Sequence, residues 1–263
     1  MVKIVNDKYY TPKDLALYCI NKTYEVIGKE NIVDVIEPSA GAGSFSTQIK
    51  CSAYDIAPEQ DSIIRQDYLT LSEPYRKGRL VIGNPPYGRC LSLAQKFFKK
   101  SVELGDYIAF VLPISQLDNT QSMYEFDLVY SEDLGKRDYS GVKLHCCFNI
   151  YRRPSNGLNK PKKTKLRDVS IVRQDAKRYN DLAAYDLRMC YWGNGSAGKI
   201  LTDSDEKYSG EYKIIINNPE LREEVLRVLT EVDWHSELNK IAMLKIQQFH
   251  ICELLLREIP EIE

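Results

Sequence analysis

Ile32-Val33-Asp34-Val35-Ile36-Glu37-Pro38-Ser39-Ala40-Gly41-Ala42-Gly43-Ser44-Phe45 is the stretch on which the fold turns. It opens with a short, mostly apolar and β-branched run, which suits a strand buried on both faces. The run stops at Glu37 and Pro38, and Gly41 and Gly43 then precede residues able to start a helix. Strand, glycine turn and helix start, in that order, make the first βα unit of a nucleotide-binding α/β sheet. The glycines there permit positive φ and a close approach of backbone to a ligand. The third glycine of a dinucleotide fingerprint is missing. A strand that ends in a carboxylate opposes a pyrophosphate and favours the amino group and sulfonium of S-adenosylmethionine.

Further along the chain, Ser52-Ala53-Tyr54 closes at Asp55, placed to accept from both ribose hydroxyls, and Ser62-Ile63-Ile64-Arg65-Gln66 runs to Asp67, placed to accept from an adenine amino group. Taken singly, either acid is equally at home at a solvent-facing strand end; their order gives them weight. The apolar run Arg79-Leu80-Val81-Ile82-Gly83 leads straight into Asn84-Pro85-Pro86-Tyr87. Each proline fixes its own φ and pushes the preceding residue out of the helical region, so this loop aims its side chains reproducibly. The Asn84 amide oxygen and the Pro85 carbonyl can together accept hydrogen bonds from a planar amine, and the Tyr87 ring offers a stacking face to a heterocycle. A plain strand followed by a tight turn is the alternative, since Pro-Pro alone marks many loops.

Tyr10-Thr11-Pro12, the Glu37 to Phe45 segment, Asp55, Asp67-Tyr68 and Asn84-Pro85-Pro86-Tyr87, in that order, resemble the motifs of the DNA adenine-N6 methyltransferases of the gamma arrangement. The resemblance covers roughly the first 150 residues and is more specific in combination than in any piece. It implies a Rossmann-like S-adenosylmethionine-dependent methyltransferase sheet and methyl transfer to the N6 amine of adenine in DNA after base flipping. It also implies roles. Thr11 and Pro12 lie against the methionine end of the cofactor, and Glu37, Pro38 and the Gly41–Gly43 turn hold that end. Asp55, with Ile56 beside it, takes the ribose. Asp67 and the Tyr68 backbone read the adenine, and Pro85 packs on that ring. Asn84, Pro85, Pro86 and Tyr87 form the catalytic loop. Phe148 is similar in place to the residue that sandwiches the extruded base against the loop tyrosine, although a phenylalanine on such a β-run also reads as core. Asn-Pro-Pro-Tyr is found too in RNA adenine-N6 and protein-glutamine methyltransferases. A non-catalytic nucleic-acid-binding module is the reading from another class. Cys90 lacks the Pro-Cys setting of a cytosine-C5 enzyme and reads as a bystander. DNA is the expected partner, RNA the alternative, with a cognate restriction endonuclease or a second copy of the chain as further candidates in a restriction-modification setting.

The periodicity predicts strands near 32–37, 51–55, 63–66, 79–84 and 106–113, helices near 12–28, 43–50 and 91–104, and an antiparallel pair within 126–151. Thr11 reads as the cap of the first helix, with Pro12 at its first position and Asp14 at its third. Residues 1–153 form the expected catalytic domain, and 154–263 a basic linker and a smaller, largely helical α+β region for target recognition or structure. From Arg152 to Arg178 ten basic residues stand against two acidic ones, a net +8 that reads as a mobile linker. Lys162, Lys163, Lys165 and Arg167 are its expected contacts to phosphates, against the plainer reading of a solvated loop. Tyr191 to Ile200, rich in glycine, resembles a phosphate-binding loop but has Ile200 where Ser or Thr would hold magnesium. It reads as a surface loop or a second nucleic-acid contact beside Arg188. Asn218-Pro219 starts one tail helix, and a longer one after Asp233 or Ser236 carries Leu238, Ile241, Leu244, Ile246, Phe249, Leu254 and Leu255.

Composition narrows the setting. The chain has 263 residues, 43% of them hydrophobic, a net charge of -1 and no apolar run of membrane length. Its seven cysteines lack paired C-x-x-C spacing, so the expectation is a reduced, cytoplasmic enzyme with no metal, His145-Cys146-Cys147 included, because neighbours on a strand point to opposite faces.

Overall fold

The computed structural model describes residues 9–175, 184–193, 195–202, 210–238 and 245–263, and the chain divides into two units between Pro161 and Lys162. In the first unit β1 (Asp34–Glu37), β2 (Ser52–Asp55), β3 (Ile64–Arg65), β4 (Arg79–Gly83) and β5 (Tyr107–Pro113) run parallel. A hairpin of β6 (Asp127–Tyr139) and β7 (Val142–Arg152) completes the sheet, with β7 antiparallel to β5. The strand order is β3-β2-β1-β4-β5-β7-β6. This is the expected Rossmann-like α/β sheet. Winding runs one way from β1 to β3 and the other way from β4 onward, so the loops after β1 and β4 open on one crevice.

Strand alternation decides which helix each residue meets. Leu80, Ile82, Ala109 and Val111 share a core with Leu15, Ala16, Cys19 and Ile20 of α1 (Lys13–Ile27). Val81, Ile108, Phe110 and Leu112 point the other way, to Ala94, Phe97, Phe98 and Val102 of α2 (Ser92–Leu104). Both faces of the central strands are dry, which explains why their sequences are continuous apolar runs instead of alternating ones.

Two local expectations are corrected. Residues 43–50 form hydrogen-bonded turns instead of a helix; the amides of Phe45 and Ser46 are taken by the Glu37 carboxylate, and Gly41 and Gly43 hold positive φ. Thr11 does not cap α1. The helix begins one residue later than a Thr11 cap requires, at Lys13, with Pro12 in the cap position and no side-chain cap bond.

The second unit contains the expected helix after Asn218-Pro219, α3 (Arg222–Glu231), and then α4 (Trp234–Glu237) and α5 (Gln248–Glu258). It also contains a four-stranded antiparallel sheet, β10-β9-β11-β8, that the sequence reading does not place. Its strands are β8 (Val169–Asp175), β9 (Leu187–Cys190), β10 (Ile200–Leu201) and β11 (Gly210–Ile216). The reading of Arg152 to Arg178 as one mobile linker is therefore corrected, because β8 lies inside it and pairs residue by residue with β11 from Val169↔Ile216 to Asp175↔Gly210. The single long tail helix is replaced by α4 and α5. Lys177, Arg178, Asn194, Ile241 and Leu244 lie outside the described residues. Residues 154–161 belong with the first unit, where Asn159 donates from its backbone to Glu125 O at 3.0 Å and from Nδ2 to Asp127 Oδ1 at 2.8 Å.

Phe98 is fully buried and makes edge contacts with Tyr151 at 4.9 Å and Phe126 at 6.1 Å between ring centroids. Phe98→Ala is expected to destabilise the protein by about 3–5 kcal/mol, read as a lowered urea midpoint. A cost below about 1 kcal/mol would mean that this face of the sheet is not a packed core.

Candidate active site

The end of β1 is built around a buried acid. Glu37 is 2% exposed, and its carboxylate accepts from the backbone amides of Phe45 (3.3 Å) and Ser46 (2.8 Å). Burial pushes its pKa up to about 7, against the lowering effect of the bonds from Ser46 and Phe45. Above it the chain turns through Gly41 at φ 53°, where a Cβ would come within 2.7 Å of Tyr10 Cε1. Only glycine suits that point, because positive φ and the covering ring each exclude a side chain.

Asp55 ties the glycine turn to the end of β2. Its Oδ2 accepts from Gly41 N and its Oδ1 from Ala57 N, both at 2.8 Å, so each oxygen keeps a lone pair for a further donor. Ile56 next to it is 67% exposed, an apolar surface left open beside the turn. Asp67 is exposed and accepts from Leu69 N at 2.9 Å as the cap of a short 3-10 turn. The Tyr68 ring belongs to the core, stacked on Phe97 at 5.3 Å.

The loop after β4 sits directly against the loop after β1. Ser39 Oγ donates to Asn84 O at 3.2 Å, and a Cβ on Gly83 would lie 3.3 Å from Pro38 Cδ. Asn84 Nδ2 donates to Tyr9 O at 3.1 Å, which fixes which end of the amide carries the oxygen. Asn84 Oδ1 is buried and has no hydrogen-bond partner among the described residues. A buried acceptor without a donor costs about 1–3 kcal/mol, so this atom suits a donor that the described residues do not supply. Thr11 Oγ1, two residues after Tyr9, is in the same condition.

Tyr87 completes the loop. Its carbonyl accepts from Leu93 N (3.1 Å) and Ala94 N (3.4 Å), and its ring stacks with Tyr9 at 6.5 Å and 29°. Beyond it Gly88, Cys90 and Leu91 all have φ between 51° and 66°. Two consecutive non-glycine residues in the left-handed region store strain next to the Asn-Pro-Pro-Tyr loop, as functional sites often do. Phe148, by contrast, is fully buried in the α1-side core with Val111 and Ile150 and presents no free face to a base. The expectation that it sandwiches the base is corrected.

The four basic residues expected to meet phosphate lie in the second unit. There Lys162 pairs with Glu253 at 3.0 Å and stands over the Phe249 ring, and Arg167 pairs with Asp168 at 3.4 Å and with Glu263. Sequence reasoning passed over Tyr9 and quoted Tyr10 without giving it a role, although two aromatics stand directly before Thr11-Pro12.

S-adenosylmethionine fits the first-unit groups. Glu37 beneath the glycine turn suits a cationic group, the remaining lone pairs of Asp55 suit ribose hydroxyls, and the open Ile56 surface suits an adenine face.

No family model matches the chain, and no curated protein matches it in sequence. Solved structures do resemble its fold. A Listeria monocytogenes protein assigned to the class I S-adenosylmethionine-dependent methyltransferases is 13% identical, with TM-score 0.47 over 62% of this chain and 66% of that one. A Pyrococcus horikoshii protein assigned as an RNA methyltransferase is 13% identical, with TM-score 0.44 over 55% and 86%. The 23S rRNA methyltransferase ErmE is 15% identical, with TM-score 0.42 over 58% and 72%. At such identities and TM-scores they add nothing to what the strand order and the site geometry establish.

The Glu37 pKa has a consequence for stability. It is raised from 4.5 to about 7 in the folded protein, so the folded state holds a proton that the unfolded state has released. The stability from this group is fully present at acid pH and is lost as pH rises through about 7. Relative to Glu37→Gln, the unliganded wild type is expected to lose about 3 kcal/mol between about pH 5 and pH 8 in urea titrations, and parallel curves for the two proteins would refute the assignment.

Proposed function

We propose that this chain transfers a methyl group from S-adenosylmethionine to the N6 amine of adenine in DNA, after the target nucleotide has turned out of the duplex. The observation that carries the reading is Asn84 Oδ1, buried and unpartnered among the described residues at the start of a rigid Asn-Pro-Pro-Tyr loop, beside a crevice whose other wall suits that cofactor. When bound, the cofactor supplies a methyl group activated by a sulfonium.

An exocyclic amine is a poor nucleophile because its lone pair is delocalised into the ring. Asn84 Oδ1, with its orientation set by the Nδ2 bond to Tyr9 O, accepts one N–H of that amine. The Pro85 carbonyl is assigned the other. Two acceptors favour the tetrahedral nitrogen of the transition state over the planar ground state, and that difference is what accelerates the step. The nitrogen takes the methyl and then releases one proton to solvent, so no covalent enzyme nucleophile is required. Tyr87 supplies the stacking face that holds the heterocycle, and turning the base out costs a few kcal/mol of stacking and pairing.

Asp55 is assigned the ribose, and Glu37 with the Gly41–Gly43 turn the methionine end. Ile56, Pro85, Asp67 and the Tyr68 backbone are assigned the adenine of the cofactor, and Thr11 and Pro12 the methionine end from the opposite side. Lys162, Lys163, Lys165 and Arg167 are assigned to the DNA backbone.

Incubation with labelled S-adenosylmethionine and, separately, unmethylated DNA, total RNA and a release-factor protein, followed by digestion, tests the assignment. N6-methyladenine is expected in DNA. Asn84→Ala is expected to lower transfer at least about 100-fold while cofactor affinity stays within about threefold. Label in RNA or on glutamine overturns the substrate, and equal loss of transfer and cofactor binding in Asn84→Ala overturns the role of that amide.

A further inference from the structure

Two neighbouring tyrosines divide between the two halves of the crevice. Tyr9 turns to the acceptor half, where its carbonyl accepts from Asn84 Nδ2 at 3.1 Å and its ring stacks with Tyr87. Tyr10 turns to the donor half and covers the glycine turn: a Cβ on Gly41 would lie 2.7 Å from its Cε1 and 3.2 Å from its Cδ1. The ring leaves no room for even a methyl-sized group on that side of Gly41. A glycine at φ 53° permits a close approach, and the group that makes it is a side chain of the same protein.

The ring is also latched. Its hydroxyl donates to Glu59 Oε1, and Glu59 belongs to the segment after β2 that hangs on the same turn, through Glu59 N to Gly41 O at 3.1 Å and Gln60 Nε2 to Ala42 O. Burial, followed by the bond to Glu59, pushes the Tyr10 pKa up to about 12, which keeps the phenol a donor. The turn it covers is the one that suits the cofactor, since Gly41 N is bonded to Asp55, the acid whose remaining lone pairs suit a ribose. On either side of Tyr10 the backbone is tied, by the Asn84 bond to Tyr9 O and by the bond from Ala16 N to Pro12 O at 2.9 Å. Uncovering the turn therefore needs little more than rotation of one side chain.

We propose that Tyr10, latched to Glu59, is a gate on the methyl-donor pocket: its ring takes the place at the glycine turn that S-adenosylmethionine has to take, so the two compete. The inference rests on the cofactor site and not on the identity of the acceptor. A pocket closed by its own side chain binds with an affinity reduced by the fraction of time it stands open, so weakening the latch tightens binding. A tyrosine whose hydroxyl contacted the cofactor would give the opposite result, and one that only supported the fold would give no gain.

Calorimetric titration of the full chain with S-adenosylmethionine reads the gate without any acceptor present. Tyr10→Phe keeps the ring and removes the latch, and its affinity for the cofactor is expected to rise about fivefold over wild type, the effect of losing one exposed hydrogen bond to a carboxylate. Glu59→Ala is expected to give a similar rise, and Tyr10→Phe added to Glu59→Ala no further one. Equal or weaker cofactor binding in Tyr10→Phe, or gains that multiply in the double variant, overturn the gate. Absence of S-adenosylmethionine binding in wild type and variants alike overturns the cofactor site and the gate together. Tighter binding in Tyr10→Phe by a chain that methylates neither DNA nor RNA keeps the gate and removes only the proposed function.

Discussion

Adjacent parallel pairing of β1 with β4 is the constraint on which the rest of the first unit depends. Asp34, Val35 and Ile36 pair with Arg79, Leu80 and Val81, so the loops that follow Glu37 and Gly83 leave the sheet side by side. Residues far apart in sequence are thereby delivered to one crevice, and the Ser39–Asn84 bond ties their loops together. The absence of a side chain on Gly83 then has a clear reason, because a Cβ there would already press on Pro38. Both functions of the proposed reaction, holding a cation-bearing donor and presenting acceptors to an amine, follow from that one pairing.

What the crevice holds is unfavourable to the unliganded fold. A carboxylate 2% exposed with its pKa raised to about 7, a buried amide oxygen without a donor among the described residues, and two non-glycine residues at positive φ each subtract from stability. The strained residues alone cost of order 1–3 kcal/mol each. They persist because both faces of β4 and β5 are packed, one under α1 and the other under α2, which leaves the loops little freedom to relax. A ligand that supplies donors to Asn84 Oδ1 and a positive charge near Glu37 recovers part of that cost, which links binding to folding in the same atoms.

Most of the first unit was legible in the sequence because its signals are local. Apolar runs that end in Glu37, Asp55 and Asn84 mark strand ends wherever the strands are buried on both faces, and the structure places β1, β2 and β4 there. Turn chemistry was legible only in part. Gly41 and Gly43 announced positive φ correctly, but nothing local says that the Glu37 carboxylate takes the amides a helix would have used at Phe45 and Ser46. The second unit was less legible, since β8 is embedded in a run of basic residues whose charge suggests a solvated linker. Its partner β11 lies some forty residues away, and pairing of that kind leaves no mark on either segment alone.

Phe148 shows the same limit at the level of one side chain. Motif order places an aromatic on β7 near the loop tyrosine, but packing decides whether its ring is free, and Phe148 is fully buried with Cys146 and Ile150 in the α1-side core. The ring beside Tyr87 is Tyr9, whose carbonyl also orients the Asn84 amide. One residue before the Thr-Pro motif therefore touches both halves of the proposed acceptor site, the stacking face through its ring and the hydrogen-bond acceptor through its backbone. That double contact couples the segment in front of α1 to the chemistry of a loop more than seventy positions later.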